Sequence, residues 1–180
     1  VNLPCKRLQI DEVWGFSYCK QKTVAKAKAA PEGAGDIWTW VALDADTKLV
    51  ASFYVGARDG AAALDFVSDL APRLASRVQI TSDGHKAYLN AVEETFGADV
   101  DYAQLVKVYG PAPEGPQRRY SPAECTGAIK HRVEGNPDPK HVSTSFVERQ
   151  NLNIRMGNRR MTRLTNAFSK KAENHAHMMA

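Results

Sequence analysis

The sequence predicts an α/β fold in which helices flank a mixed sheet. The first three strand-like segments follow one another without an intervening helix, as antiparallel strands do. Later strands alternate with helical segments, a pattern typical of parallel strand pairs. The chain has 180 residues, of which 43% are apolar, so it is long enough to form one domain with its own core.

The first third of the chain predicts three sequential strands. Apolar side chains alternate along Leu8–Tyr18, which predicts a half-buried strand. Asp11 falls on the opposite face, although an acid inside a strand is disfavoured and costs free energy if it is buried unpaired. Glu12 falls in the apolar register, and no local pattern accounts for it. Asp36–Asp44 and Lys48–Ala57 are predicted to form a hairpin, with the aspartates between them as turn formers.

The middle third predicts helices that alternate with strands. Asp59 is expected to cap a helix, and the apolar segment Arg77–Ser82 is expected to form a parallel strand. This strand ends at Asp83, which is either a ligand at the carboxyl end of the strand or part of a plain Asp-Gly turn. Two further elements are predicted: a helix over His85–Phe96 and a fifth strand over Tyr102–Val108.

The last third begins with a long Pro-rich segment and ends in basic helices. Gly110–His141 contains six of the nine prolines and is interpreted as an insertion. Val142–Lys171 is predicted to be helical for at least its first half, with an interruption at Gly157. A last helix is expected from about Asn166. Glu148 is the only acid in Val142–Lys171, among seven Lys and Arg.

Glu148 has two interpretations. The sequence from Ser145 to Glu148 fits an S-x-x-E capping box, in which the carboxylate binds a backbone amide and has no chemical role. Alternatively, the carboxylate is a metal ligand. A helical wheel places one set of residues on the same side of the helix: Glu148, Asn151, Leu152, Arg155 and Arg159. The arginines would form either a solvated face or a binding site for a polyanion.

Composition restricts the class of protein. The net charge is +4 and the basic residues are clustered, which suggests a polyanionic partner. The three cysteines have no metal-ligand or disulfide spacing, which indicates a reducing cytoplasm. No apolar run approaches the ~20 residues of a membrane helix, and no membrane partner is expected.

Three carboxylates occupy distinctive positions: Asp11 in the first strand, Asp83 after the fourth, and Glu148 in the first turn of a helix. If the first and fourth strands are adjacent, Asp11 and Asp83 converge, and a crossing helix would bring Glu148 to them. Three like charges repel one another unless a cation neutralises them. Oxygen ligands select Mg²⁺ or Mn²⁺, and two such ions can catalyse phosphodiester displacement.

The same three regions resemble the DDE transposases of prokaryotic insertion sequences, specifically the insertion-sequence-one type. They are LQIDEVWGFSYCK around Asp11, ITSDGHKAY around Asp83, and SFVERQNLNIRMGNRRMTRLTNAFSKK around Glu148. The resemblance covers essentially the whole chain. It implies a ribonuclease-H-like fold with a five-stranded mixed sheet ordered 3-2-1-4-5, flanked by helices, with the insertion at 110–141 before the helix that carries the catalytic Glu. Residues 1–180 would form the catalytic core, without the N-terminal domain that recognises transposon ends.

The resemblance also implies a reaction. Asp11, Asp83 and Glu148 would be catalytic and would bind two ions, Mg²⁺ or Mn²⁺, for DNA cleavage and strand transfer. The partner would be double-stranded DNA, at the transposon ends and the target, with a homo-oligomer assembled on it. Phosphate contacts are expected from five basic residues: Arg149, Arg155, Arg159, Arg160 and Arg163. Arg155 lies seven residues beyond Glu148, where many DDE enzymes have a Lys or Arg.

Two other functions fit the same residues. One is a ribonuclease-H-like nuclease that cuts DNA without joining strands, and the other is a non-catalytic DNA-binding module derived from a transposase. A strand-transfer assay distinguishes the first, and metal binding in the acidic cluster distinguishes the second.

Overall fold

A mixed sheet forms the centre of the structure, a computed structural model that describes residues 2–111, 123–161 and 166–180. Its strands are β1 (Arg7–Ser17), β2 (Gly35–Asp44), β3 (Val50–Gly56), β4 (Gln79–Ser82), β5 (Asp101–Tyr109) and β6 (Cys125–Glu134). They form one six-stranded sheet in the order β3-β2-β1-β4-β5-β6. The α/β class and the predicted order of the first five strands are confirmed.

Five helices accompany the sheet within the described ranges. They are α1 (Gln21–Val24), α2 (Gly60–Leu70), α3 (Ala87–Phe96), α4 (Ser145–Gly157) and α5 (Ala172–Met179). Single 3₁₀ turns lie at Ala71–Arg73, Pro139–His141 and Arg159–Met161. None of these helices is long and apolar enough to cross a membrane. The three cysteines are all described and are free thiols.

β1 is the strand that joins the two halves of the sheet. It pairs antiparallel with β2 along its whole length and parallel with β4 over its first residues, as far as Ile10 opposite Ser82. β4 also pairs in parallel with β5. The expected adjacency of the first and fourth strands is therefore observed. Beyond Ile10, β4 offers no partner, and the next bridge that the described residues make on this edge of β1 joins Ser17 to Ser169.

Alternation along β1 and β2 divides the interior into two layers. One face carries the large core that joins the sheet to α2 and α3, with Leu8, Ile10, Trp40, Phe66, Leu70, Ile80 and Tyr88 among its members. On the other face, Val41 and Leu43 pack with Val147 and Ile154 of α4. Because successive strand residues point to opposite faces, Gln9 and Asp11 lie on the α4 side.

The prediction of five strands was wrong, because a sixth strand lies inside the predicted insertion. β6 pairs antiparallel with β5 and forms the edge of the sheet, with all of its residues exposed. The six prolines of the segment precede residue 123 or follow residue 136, so the strand itself contains none. Proline is excluded from a paired strand because it lacks the N–H donor. The remaining part of the insertion, 112–122, lies outside the described residues.

Two helix boundaries also differ from the prediction. α4 begins at Ser145 with Thr144 as its N-cap residue, and it ends at Gly157 as expected. The last helix begins at Ala172, not near Asn166, because the preceding backbone binds the end of β1. The carbonyl of Ser169 accepts a 2.7 Å hydrogen bond from the Tyr18 amide, which holds this segment extended.

Local polar signals correctly predicted a helix start and a turn. The Asp59 carboxylate accepts a 2.9 Å hydrogen bond from the Ala62 amide and caps α2. The Asp44 carboxylate accepts from the hydroxyl of Thr47 at 2.6 Å in the β2–β3 connection. Asp44 is therefore a turn former, as predicted.

A close approach between β1 and α5 gives the first prediction. A Cβ atom added at Gly15 would lie 3.1 Å from His175 Cε1 and 3.3 Å from Met161 Sδ. We expect Gly15→Ala to lower the free energy of unfolding by about 1–3 kcal/mol through overpacking, measured by urea denaturation. Gly60→Ala is the control, since a Cβ there meets nothing within 4 Å. Equal effects of the two substitutions would contradict the close packing of α5 on β1.

Candidate active site

The three carboxylates singled out by the sequence line one cavity of about 410 Å³. Asp11 comes from β1, Asp83 follows β4, and Glu148 comes from the first turns of α4. The remaining wall is formed by Arg58, Gly84, His85, Leu105, Val106, Lys107 and Tyr109. The cavity lies where β4 ends, which is the carboxyl end of a parallel strand pair, where α/β sheets bind ligands.

Asp11 and Asp83 are brought together by the register of β1 and β4. Each follows a residue of the last pair in that ladder, Ile10 and Ser82. Carboxylate oxygens of Asp11, Glu12 and Asp83 all lie within 4.8 Å of one another. Both aspartates are fixed by hydrogen bonds. Asn151 Nδ2 donates to Asp11 Oδ2 at 2.9 Å, and the backbone amide of His85 donates to Asp83 Oδ1 at 2.9 Å.

Gln9 attaches the start of α4 to β1. Its buried side-chain oxygen accepts hydrogen bonds from the backbone amides of Phe146 at 2.8 Å and Val147 at 3.0 Å. These are two of the amides at a helix start that have no partner within the helix. Because Gln9 and Asp11 lie on the same face of β1, this cap from the sheet also sets the position of Glu148 relative to Asp11.

Glu148 is bound by a lysine and a threonine, not by the helix cap. Lys107 Nζ lies 2.6 Å from both of its carboxylate oxygens, and the Thr144 hydroxyl donates to Oε1 at 2.6 Å. Burial lowers the pKa of Lys107, but the hydrogen bonds and charge of Glu148 outweigh it and raise the pKa overall. The capping-box interpretation is wrong in its register, because the N-cap residue is Thr144 and Gln9 binds the first amides.

Glu12 is the acid for which the sequence offered no account. It lies close to Asp11 and Asp83, although it does not line the cavity. Its Oε1 accepts from Arg58 Nε at 2.6 Å, and its Oε2 accepts from the Tyr88 hydroxyl at 2.7 Å. Burial and the charge of Glu12 raise the pKa of Tyr88, so its hydroxyl stays a donor. Glu12 occupies the apolar register because its face of β1 packs against α3, which carries Tyr88.

The site carries uncompensated negative charge. Among the residues that the structure describes, four carboxylates lie with two cations, Arg58 and Lys107, which leaves two negative charges when all groups are ionised. This charge makes ionisation of Asp11 unfavourable, because burial, Glu12 and Asp83 together raise the pKa of Asp11 to about 7. The structure therefore brings Asp11 and Asp83 together with Glu12, while Glu148 lines the same cavity but pairs with Lys107.

The five basic residues predicted to bind DNA have different positions. Arg149 is exposed on α4, and Arg155 is half-buried near the end of that helix. Arg159 belongs to the following 3₁₀ turn, so its predicted place on the same helix side as Glu148 was wrong. Arg160 donates to the Ser169 hydroxyl at 3.3 Å, and Arg163 lies outside the described residues.

Sequence reasoning missed two cations and one polar anchor. Arg58 directly precedes the capping Asp59, Lys107 lies within β5, and Gln9 lies two residues before Asp11. Each of the three binds a partner more than 40 residues away in the chain. Local spacing carries no signal for such pairs. The signal that could have indicated a partner for Glu12 is its place in the apolar register of β1, because a carboxylate is costly to bury unpaired.

No model of a known protein family matches this chain, and no curated protein matches its sequence.

The raised pKa of Asp11 predicts how stability depends on pH. Between the ordinary value of 3.8 and about 7, the folded protein holds a proton on Asp11 that the unfolded chain has lost. The contribution of Asp11 to the free energy of unfolding therefore falls as pH rises through this window and becomes constant above it. We expect wild type, in EDTA, to lose at most about 4 kcal/mol relative to Asp11→Asn between pH 4 and 8.

Urea denaturation across this pH range measures the difference. Asp99→Asn is the control, because this side chain is 82% exposed and does not line the cavity. Its profile should run parallel to that of wild type. A parallel profile for Asp11→Asn as well would show that Asp11 is ionised in the folded protein throughout the range.

Proposed function

We propose that this chain is the catalytic core of a metal-dependent DNA transposase of the insertion-sequence-one type, with a ribonuclease-H-like fold. It would cleave DNA at transposon ends and join the freed 3′-hydroxyl to target DNA. The sheet order and the flanking helices are compatible with that fold, with β6 as an addition at the edge. The observation that carries the proposal is the convergence of Asp11, Asp83 and Glu148 on one cavity.

The donor set fits a hard divalent cation. The clustered groups of Asp11 and Asp83 offer only oxygen atoms, which Mg²⁺ and Mn²⁺ prefer. The two uncompensated charges of the site equal the charge of one such ion. Asp11 and Asp83 would hold it, with Glu148 as the further ligand of the proposed two-ion site. Bound there, the metal would activate water or a 3′-hydroxyl and offset charge on the phosphodiester.

The residues of the chain prepare the site for this chemistry. Asn151 orients Asp11 and the His85 amide orients Asp83, so each carboxylate is held before any ligand arrives. Gln9 fixes the start of α4 and thereby the distance of Glu148 from β1. The exposed arginines Arg149 and Arg159, together with Arg155, Arg160 and Arg163, would bind the DNA backbone and add affinity without sequence choice.

Glu148 must exchange partners if it binds metal. Its two oxygens now bind Lys107, so metal binding requires the Lys107 ammonium to move away. The ammonium would then lie in the cavity beside the incoming phosphate, where a cation stabilises the substrate. Lys107 would thus bind the Glu148 carboxylate in the free protein and a DNA phosphate in the complex.

Activity of carboxylate variants tests the proposed function. Asp11→Asn, Asp83→Asn and Glu148→Gln should each reduce cleavage and strand transfer more than about 100-fold, beyond the effect of losing an outer-shell partner. The assay uses DNA duplexes with intact and pre-cut 3′-hydroxyl ends, in Mg²⁺ and in Mn²⁺. Asp99→Asn should retain activity.

The outcomes of this assay separate the three functions. Cleavage without joining of pre-cut ends would identify a nuclease. DNA binding with neither activity, and with no Mn²⁺ binding in calorimetry, would identify a non-catalytic module. Wild-type activity in Glu148→Gln would remove Glu148 from the catalytic set.

The exchange at Glu148 gives a separate prediction for metal affinity. Lys107→Gln removes the competing cation and should raise Mn²⁺ affinity by up to about fivefold, the size expected for a partly exposed ion pair. Calorimetry without DNA measures it. In a Glu148→Gln background, Lys107→Gln should have no such effect. An equal gain in both backgrounds would show that Lys107 acts as a general charge and not through Glu148.

A further inference from the structure

We propose that Arg58 binds a phosphate of the DNA in the cavity and that Glu12 is the positioning residue that holds it there, not a metal ligand. This inference rests on the proposed function, because it assigns a phosphodiester to the cavity. It divides the acidic cluster into two parts with different tasks: Asp11 and Asp83 face the metal, and Glu12 faces the arginine.

Glu12 is fully engaged by protein groups. Its side chain is 1% exposed, and both oxygens bind donors, Arg58 on one and the Tyr88 hydroxyl on the other. Arg58 brings two nitrogens to the same oxygen, with Nε and Nη2 each at 2.6 Å. A carboxylate neutralised in this way has little to offer a metal, although it lies close to Asp11 and Asp83.

Arg58 is held firmly but remains open to a ligand. Its guanidinium also stacks on Trp38, 4.7 Å from the ring centroid, so one face and one edge of the group are fixed. The side chain is nevertheless 40% exposed and lines the same cavity as Asp83 and Glu148. A guanidinium has five N–H donors, and Glu12 uses only part of them.

A pre-oriented arginine at this position suits a phosphate. Arginine binds phosphate oxygens through paired N–H donors, and a fixed side chain loses less entropy on binding than a mobile one. The cavity is otherwise acidic, so a phosphodiester needs a cation beside the metal site to approach it. Lys107 is paired with Glu148 in the free protein, whereas Arg58 already faces the cavity.

The test uses paired substitutions that keep net charge constant. Arg58→Ala alone would leave Glu12 buried with only Tyr88, so the variant is combined with Glu12→Gln. The matched control is Arg77→Ala with Asp101→Asn. Arg77 is 41% exposed and also binds a carboxylate through two nitrogens, but it lies at the opposite end of β4. Each pair removes one cation and one anion.

DNA binding is measured by fluorescence anisotropy with a labelled duplex of mixed sequence, in Ca²⁺, a hard cation that accepts oxygen ligands. Glu12→Gln/Arg58→Ala should lower affinity about tenfold and reduce the salt slope of log K by about one, as expected for one lost phosphate contact. Arg77→Ala/Asp101→Asn should change neither. Equal behaviour of the two pairs would overturn the assignment of Arg58.

Metal binding tests the role of Glu12 separately. In calorimetry with Mn²⁺ alone, Glu12→Gln should stay within about threefold of wild type, whereas Asp11→Asn should lose at least about tenfold. A loss in Glu12→Gln equal to that in Asp11→Asn would make Glu12 a ligand and overturn its positioning role. Arg58→Lys keeps the positive charge but lacks the paired N–H donors of the guanidinium, so its DNA affinity should lie between those of wild type and Glu12→Gln/Arg58→Ala.

The DNA-binding and metal-binding measurements together distinguish this inference from the proposed function. Wild type that binds Mn²⁺ and transfers strands, with Glu12→Gln/Arg58→Ala binding DNA normally, would refute Arg58 alone. Wild type that binds neither Mn²⁺ nor DNA would refute both.

Discussion

Parallel pairing between β1 and β4 is the constraint on which the whole site depends. The ladder ends at Ile10 and Ser82, so the next residue of each strand is an aspartate at the same edge of the sheet. Because β4 stops there while β1 continues, side chains from both faces of β1 reach the opening. One strand therefore supplies the acid that faces α4 and the acid that faces α3.

Charge in this region is balanced from two separate directions. Tyr88 and Arg58 bind Glu12 from the α3 side, and Lys107 of β5 binds Glu148 from across the cavity. Asp11 and Asp83 receive hydrogen bonds but no ion pair from the described part of the chain. The negative charge that protein cations leave unbalanced thus lies at the end of the strand pair, where a bound cation would relieve the repulsion that Asp11 experiences.

Elements with a local signal could be predicted from the sequence. Alternation marked β1 and the β2–β3 hairpin, Asp59 marked the start of α2, and Gly157 marked the end of α4. The meeting of Asp11 and Asp83 was predictable as well, because it follows from strand order. β6 was missed because prolines on both sides masked a proline-free strand, whose partner β5 decides its existence.

Contacts between distant residues could not be predicted in this way. The capping box at Ser145 is a local pattern, but Gln9, 137 residues before Phe146, occupies the helix start instead. The pairs Arg58–Glu12 and Lys107–Glu148 span 46 and 41 residues. No spacing rule reports on partners so far apart, so only the folded arrangement reveals that two of the four acids are neutralised by protein cations.

Asp11 and Glu12 are neighbours in the chain, and only the two-residue period of a strand gives them different surroundings. An insertion of one residue between Arg7 and Gln9 would move both acids to the opposite face. Asp11 would take the place of Glu12, too short to reach both Arg58 and Tyr88, and Glu12 would move to the α4 face one place beyond the present position of Asp11. Such a slip would also turn Gln9 away from the start of α4. The length of β1 is therefore constrained more strictly than its apolar composition, since an exchange of one apolar residue for another leaves every side chain on its own face.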